Sequence, residues 1–229
     1  KIDFVSYPRT IERDIKLLRL AGVDLLFIPS NSEIFPVKQN FIVKPPKNIS
    51  SILEGEYRPG FFEGVATIVL KLFNIVQPNI AFFGKKDFQQ ALIIKAMCSQ
   101  LQINTSIKTV ETMRDESGLA FSSRNIRLSS KEKKEAPFLF ECLNEISEKI
   151  IDLYKNHNIN NSELENLETQ TLKKLKANGW NPEYISIRNK KTFGTPKSFT
   201  SEEMSNLIIL SAAWLGKTRL IDNLEISVL

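Results

Sequence analysis

The chain has 229 residues, of which 42% are hydrophobic and 25% charged, and it carries a formal net charge of +5. This composition supports a buried core and excludes a disordered chain, and the length suits one large domain or two small ones. The basic residues are interleaved with acids, as in Lys131–Glu135, which argues against nucleic-acid binding, and no apolar run reaches the length of a membrane span.

The first 43 residues carry signals for one helix and two strands. Thr10 suits the N-cap of a helix that ends at Gly22, where glycine tolerates the left-handed conformation of a helix end. The apolar run Val23–Ile28 predicts a buried strand. A loop with a short turn is expected over Asn31–Pro36, and a small strand over Ile42–Val43.

A helix-strand alternation follows. Apolar residues at helical spacing predict a helix from Gly64 to Val76, before Pro78. The next predicted elements are a buried strand at Ile80–Phe83, a helix at Asp87–Leu101 and a strand at Ser106–Val110. This order predicts an α/β fold with a doubly wound, parallel, Rossmann-like sheet.

The helix-strand alternation ends in the second half of the chain, where two helices are followed by three strands. Ser129 can cap a long helix over Lys131–Leu153, and a second helix is predicted over Glu163–Ala177. Three strands with a hairpin turn at Gly216-Lys217 follow, at Tyr184–Arg188, Leu207–Trp214 and Thr218–Asp222. We expect a Rossmann-like domain over residues 1–112 and a smaller C-terminal α+β domain over residues 113–229.

The segment NIAFFGKKDFQQ, residues 79–90, has the residue types of an anion site at the carboxyl end of a strand. Gly84 lets a ligand approach the backbone, Lys85 and Lys86 offer ammonium groups, and the start of the next helix adds N–H donors. A solvated strand-to-helix turn is the alternative reading of the same pattern.

The segment TMRDESGLAFSSRN, residues 112–125, ends in two hydroxyls and an arginine. Ser122 and Ser123 can donate to phosphoryl oxygens while the Arg124 fork binds them, which suits negative charge growing on a leaving pyrophosphate. A helix cap beside a surface arginine is the alternative.

The cysteine and histidine content argues against a metal centre. Cys98 and Cys142 are far apart in the sequence and have no Cys or His nearby at metal-ligand spacing, which predicts reduced thiols packed in helices of a cytosolic protein. The single histidine, His157, lies in an Asn-rich stretch that predicts an exposed loop.

Taken together, the two segments resemble the pantothenate synthetase family, whose members join pantoate to β-alanine with ATP. The resemblance runs in order along nearly the whole chain. It includes Tyr7–Thr10, Leu53–Gly55, Arg58–Gly60, Gly64-Val65, Lys71–Asn74, Val76–Pro78, Ala212–Gly216 and Arg219–Asn223. The resemblance implies a nucleotidyltransferase-type fold, a pantoyl-adenylate intermediate, MgATP as a substrate and a homodimer.

The resemblance also implies roles for individual residues. Catalytic roles fall to Lys86, which would neutralise charge during adenylation, and to Ser122, Ser123 and Arg124. Gln90 matches the glutamine that binds pantoate. ATP would be held by these four catalytic residues together with Gly84, Lys85, Asp87, Met113 and Phe121.

Some parts of the family pattern do not occur in this sequence. The His-x-Gly-His loop and the Asn-Pro-x-Gln-Phe segment are not found, so we expect this chain to begin inside the pattern and to be inactive alone. Phe61, Glu63 and Lys85 stand where relatives often have other residues; Glu63 either weakens anion binding or is a neutral exchange. Arg58 is a weaker site candidate that could equally form a structural ion pair. The alternatives are another adenylyl- or cytidylyltransferase and a non-catalytic nucleotide-binding remnant.

Overall fold

A computed structural model of the chain describes residues 11–227. The chain divides between Val43 and Lys44 into two compact units. The described part of the first unit contains α1 (Ile11–Leu20) and α2 (Asn31–Ile34). The predicted first helix is confirmed and ends before Gly22, which has φ +74°; its predicted cap, Thr10, lies outside the described residues. The predicted short turn is α2.

Two strand predictions in the first unit are wrong. Neither Val23–Ile28 nor Ile42–Val43 is a strand, and Leu25 is 83% exposed. A strand forms when its backbone N–H and C=O groups pair with a neighbour. No such neighbour pairs with either run among residues 11–227, so apolar sequence alone does not make them strands.

The second unit contains two sheets and most of the helices. Its helices are α3 (Lys47–Ser50), α4 (Glu54–Tyr57), α5 (Phe61–Val76), α6 (Phe88–Gln100), α7 (Ser130–Glu135), α8 (Phe138–Lys155), α9 (Asn161–Ala177) and α10 (Ser201–Met204). Its strands are β1 (Ile80–Gly84), β2 (Ser106–Val110), β3 (Asn181–Asn189), β4 (Leu207–Leu215) and β5 (Thr218–Glu225). Two 3₁₀ turns, at Lys85–Asp87 and Ser123–Arg127, precede α6 and α7.

The predicted parallel pairing is confirmed. β1 and β2 run parallel, in register from Ile80 opposite Ser106 to Gly84 opposite Val110, and α6 packs against both strands. The predicted burial of β1 is wrong, since Ile80 is 48% and Phe82 67% exposed. The alternate residues Ala81 and Phe83 are half-buried. Among the described residues, β1 pairs with β2 alone, and only one face of this pair is covered.

The predicted antiparallel strands are also confirmed. They form one sheet in the order β3-β4-β5, and the β4–β5 hairpin turns at Gly216, which has φ +55°. α9 packs on β3 and α8 on β5, and both helices pack on each other. Alternate residues of β4 serve two cores: Ile209 packs with the α8–α9 core, and Ile208 packs with residues of α5 and α6. β4 therefore links the two halves of this unit.

The predicted long helix after Ser129 is two helices. Ser129 does cap the first, since its Oγ accepts from Glu132 N at 3.2 Å and its own N–H donates to Glu132 Oε2 at 2.7 Å. Helix α7 ends at Glu135, and α8 begins after Pro137. Proline has no N–H to continue the helical ladder, which explains the break. The second predicted helix is confirmed as α9.

The cysteines are helix-packed, as predicted. Cys98 in α6 and Cys142 in α8 are buried free thiols. Burial raises the pKa of both, that of Cys142 to about 11, so neither is a ready nucleophile.

His157 is exposed in a turn, also as predicted. None of the described helices is both long and apolar enough to cross a membrane. The domain boundary near Thr112 stays a prediction.

Candidate functional site

The candidate site forms where the end of β1 meets β5. β1 ends at Gly84, and the 3₁₀ turn Lys85–Asp87 leads directly into α6. A Cβ placed on Gly84 would meet no atom within 4 Å, so the backbone there has open space beside it. The Asn223 side chain of β5 donates to the carbonyl oxygens of Lys85 at 2.9 Å and Lys86 at 2.8 Å. The turn is thus tied to the antiparallel sheet.

Two adjacent clefts open at this junction. They share Lys86, Ile221 and Asp222. The first cleft has a polar lining of Lys86, Ser122, Arg124, Asn125, Arg219 and Asp222. The second cleft has a polar lining that includes Glu54, Arg58, Lys86, Asp87, Gln90 and Tyr184. Among residues 11–227, Lys86 is therefore the one cation common to the two clefts.

The two lysines of the turn have different surroundings. Lys85 Nζ lies 2.6 Å from Glu111 and 3.2 Å from Glu225, and the hydrogen bond to Glu111 raises the Lys85 pKa. Lys86 Nζ lies 3.9 Å from Asp87, and its side chain is only 16% exposed. Lys85 is thus neutralised by two carboxylates and lines neither cleft, whereas Lys86 has one carboxylate nearby and lines both clefts.

The second predicted segment reaches the first cleft through a closed loop. Arg114 and Ala120 form an isolated antiparallel bridge, and Phe121 N donates to Met113 O at 2.9 Å. The Arg114 guanidinium binds both Asp222 carboxylate oxygens, at 2.6 and 2.8 Å. This pair holds the start of the segment against β5.

The residues at the end of that segment divide into two groups. Ser122 and Arg124 line the first cleft, and the Ser122 Oγ also caps the following turn by accepting from Arg124 N at 3.2 Å. The helix-cap reading and the site reading are therefore compatible. Ser123, Met113 and Phe121 are exposed and line neither of the two clefts. The structure thus brings Lys86, Ser122 and Arg124 together.

The adjacent glutamines at the start of α6 have opposite surroundings. Gln89 is buried, and its Nε2 donates to Ile49 O at 2.8 Å and Ile52 O at 2.9 Å. Gln90 is half-buried and lines the second cleft, and no residue among 11–227 forms a hydrogen bond with its amide. Gln89 therefore holds α3 and α4 in place, while the Gln90 amide is open to a ligand.

Sequence reasoning missed a buried network in the wall of the second cleft. Glu54 accepts from the Tyr184 hydroxyl at 2.8 Å and pairs with Arg219, which also donates to Glu183 at 2.8 Å. Burial alone would raise the Glu54 pKa, but Arg219 and Tyr184 hold it below its ordinary value. Glu54 and Arg219 lie in the Leu53–Gly55 and Arg219–Asn223 blocks of the resemblance, but nothing in the sequence indicated that they form a pair.

Arg58 forms an ion pair and also lines a cleft, so both roles considered for it from the sequence are compatible with the structure. Its guanidinium lies 3.7 Å from Glu54 and 3.4 Å above the Phe61 ring, and it also lines the second cleft. Glu63 lines neither cleft. Among residues 11–227, no group of three His, Cys, Asp or Glu side chains could hold a metal ion. The clefts therefore offer cations and amides suited to anionic substrates rather than a protein-built metal centre.

Comparison with known proteins identifies a consistent set of relatives. The family model described as pantoate-β-alanine ligase matches residues 1–225. Two crystal structures of pantothenate synthetase from Thermus thermophilus are each 35% identical to this chain, with a TM-score of 0.86. Each alignment covers 98% of this chain and 77% of that one.

A third solved structure carries ligands. Pantoate-β-alanine ligase from Francisella tularensis, complexed with β,γ ATP and β-alanine, is 34% identical with a TM-score of 0.69. The alignment covers 97% of this chain and 72% of that one. The parallel strands with their helices and the three-stranded antiparallel sheet agree with the nucleotidyltransferase-like and C-terminal domains of these proteins.

Proposed function

This chain belongs to the pantoate-β-alanine ligase family, and from that premise we propose how its two clefts divide the reaction. The activity is the ATP-dependent joining of pantoate to β-alanine, which makes pantothenate through a pantoyl adenylate and releases AMP and pyrophosphate. The first cleft takes the ATP phosphates, and the second takes pantoate. One observation carries this division: Lys86 lines both clefts.

Adenylation takes place where the clefts meet. A pantoate carboxylate oxygen attacks the α-phosphorus of ATP, and the bond from that phosphorus to the pyrophosphate oxygen breaks. Negative charge then grows on the leaving pyrophosphate, beside Lys86, Ser122 and Arg124. Charged donors held in place before the reaction stabilise such charge without reorganising during it. Lys86, which lines both clefts, would contact the α-phosphate of the transferred adenylyl group and the attacking carboxylate.

The second step forms the amide. The neutral amine of β-alanine attacks the acyl carbon of the adenylate, AMP leaves with the bonding electrons, and the amine nitrogen loses a proton. No enzyme nucleophile is needed, so the protein acts by holding the reactants in position and stabilising charge. The Gln90 amide, which can both donate and accept, binds the hydroxyls or carboxylate of pantoate.

The remaining predicted ATP contacts belong to the same proposal. Gly84 gives the nucleotide access to the backbone, and backbone groups near Met113 and Phe121 meet the adenine. Ser123 and Lys85 lie within the segments that hold the phosphates, although the Lys85 ammonium is already paired with Glu111 and Glu225. The Lys85 contribution is therefore expected to be smaller than that of Lys86.

Magnesium enters as part of the MgATP substrate. Mg²⁺ commonly binds one or two carboxylates together with substrate phosphates, so it does not require a protein-built cage. Asp87 is exposed and lines the second cleft next to Lys86, which makes it the carboxylate that would hold the ion or the ribose. We further propose a Rossmann-like nucleotide domain, a homodimer and a cytoplasmic location, on the family resemblance.

An AMP-release assay tests the proposed function. The intact protein is supplied with MgATP, and pantoate and β-alanine are each present or omitted. AMP release that requires both substrates supports the ligase. ATP binding without AMP release would contradict it and favour a nucleotide-binding remnant, and AMP release independent of β-alanine would favour another nucleotidyltransferase.

A further inference from the structure

We infer that Asn223 is a positioning residue for Lys86, an inference that rests on the proposed adenylation role of Lys86. Both hydrogens of the Asn223 amide are used on the turn that carries the lysine, at 2.9 Å to Lys85 O and 2.8 Å to Lys86 O. Asn223 is 6% exposed, so these bonds are shielded from water. The turn is thereby fixed from outside its own segment.

The surroundings of Asn223 are themselves fixed. Asn223 N donates to Asp222 Oδ1 at 2.8 Å, and the same Asp222 carboxylate binds Arg114. Ser211 of the neighbouring strand donates to Asp222 O at 2.8 Å. Two adjacent β5 residues therefore hold the two candidate segments, residues 112–125 and 79–90. Asp222 holds the loop that leads to Arg124, and Asn223 holds the turn that contains Lys86.

The same strand also separates the two lysines. Side chains alternate along a strand, so Asn223 and Glu225 share one face of β5. Glu225 binds the Lys85 ammonium at 3.2 Å while Asn223 binds the Lys85 carbonyl. With Lys85 held at both its backbone and its side chain, the next residue, Lys86, is the one directed to the clefts.

A double-mutant cycle tests this role. The rate measured is pantoate-dependent exchange of labelled pyrophosphate into ATP without β-alanine, which isolates adenylation. Asn223→Asp keeps the shape but removes both N–H donors, and we expect it to slow exchange by about ten- to a hundredfold, because small misplacements of a catalytic group have effects of this size. In the Lys86→Ala background the same change should slow exchange less than about twofold, since residues that act as a unit are non-additive.

The controls separate positioning from stability. Asn178→Asp makes the same change at an amide that donates to Lys174 O at 2.9 Å at the end of α9, and it should leave exchange unchanged. Melting temperatures of all variants are compared. Asn223→Ala, which removes the donors without adding charge, is taken through the same cycle if Asn223→Asp does not fold.

Each outcome has a distinct meaning. The inference is supported if the Asn223 substitution slows pyrophosphate exchange in the wild-type background but not in the Lys86→Ala background. An unchanged rate in the Asn223 variant, or equal losses in both backgrounds, overturns it while leaving the Lys86 role in place. If Lys86→Ala itself keeps the normal exchange rate, the proposed role of Lys86 fails and the inference fails with it.

Discussion

The Arg219 guanidinium donates to both carboxylate oxygens of Glu54, at 2.9 Å from Nη1 to Oε2 and 2.6 Å from Nη2 to Oε1. The two residues are 165 positions apart in the sequence. Arg219 lines the first cleft and Glu54 the second, so their ion pair joins the walls of both. Such a pair, buried and hydrogen-bonded, is costly to break because the partner charge is left uncompensated.

Glu54→Gln is expected to destabilise the protein by about 3 kcal/mol near neutral pH, because it leaves Arg219 without one of its two carboxylates. The Glu54 pKa is lowered in the folded protein. Its stabilising contribution is therefore present above the ordinary carboxyl pKa and lost as the pH falls through the lower, folded value. The difference in melting temperature between wild type and variant should shrink as the pH falls below about 4.

The control for this prediction is Glu145→Gln. Glu145 also binds a cation, Lys174, at 2.5 Å, but both side chains of that pair are exposed. Exposed pairs contribute little, so the melting temperature should change little at any pH. Equal effects of the two substitutions would contradict the structural importance of the buried pair.

Lys86→Ala is expected to slow pantoate-dependent pyrophosphate exchange by about a thousandfold, because it removes the charge shared by the two clefts. Lys85→Ala changes the same residue type one position earlier, and should slow exchange less than about tenfold, because the Lys85 charge is already neutralised. Melting temperatures confirm that both variants fold. A larger loss in the Lys85 variant would reverse the assignment of the two lysines.

The neighbouring glutamines offer a second matched pair. Gln90→Ala should raise the KM for pantoate about tenfold or more with little change in melting temperature, because it removes amide contacts to the substrate. Gln89→Ala should instead lower the melting temperature, since it removes the amide that donates to the Ile49 carbonyl and accepts from the Glu54 N–H. Steady-state kinetics of both variants give the KM for pantoate, and thermal unfolding gives their melting temperatures. Weaker ATP binding in the Gln90 variant would contradict the division of the clefts.

Arg124→Ala should raise the KM for ATP and slow pyrophosphate exchange by about a hundredfold, because the first cleft loses a guanidinium group that binds phosphoryl oxygens. Arg127→Ala is the matched control on the same 3₁₀ turn, since Arg127 lines neither cleft. Its kinetics should stay close to those of wild type. Similar losses in both variants would indicate a general effect of surface charge on ATP binding.

Much of the fold could be predicted because its signals are local. The spacing of apolar residues marked α5, α6 and α9, and the runs of β-forming residues marked β3, β4 and β5. The break at Pro137 was missed although proline is a helix breaker, because the Ser129 cap before it and the apolar spacing after it both favour helix. The strand predicted at Val23–Ile28 was wrong for a different reason: a strand needs a pairing partner, which the run itself does not encode.

The sequence by itself determined the family resemblance, the two candidate segments and the residue types suited to phosphate and carboxylate. The resemblance already assigned the catalytic role to Lys86 and pantoate binding to Gln90, but only the tertiary structure showed how their surroundings differ from those of Lys85 and Gln89. In each pair the neighbours have the same side chain, so residue type alone does not predict those surroundings. The distinction comes from partners distant in sequence, such as Glu225 on β5, because the partners of a side chain are set by how strands and helices pack rather than by its position in the chain.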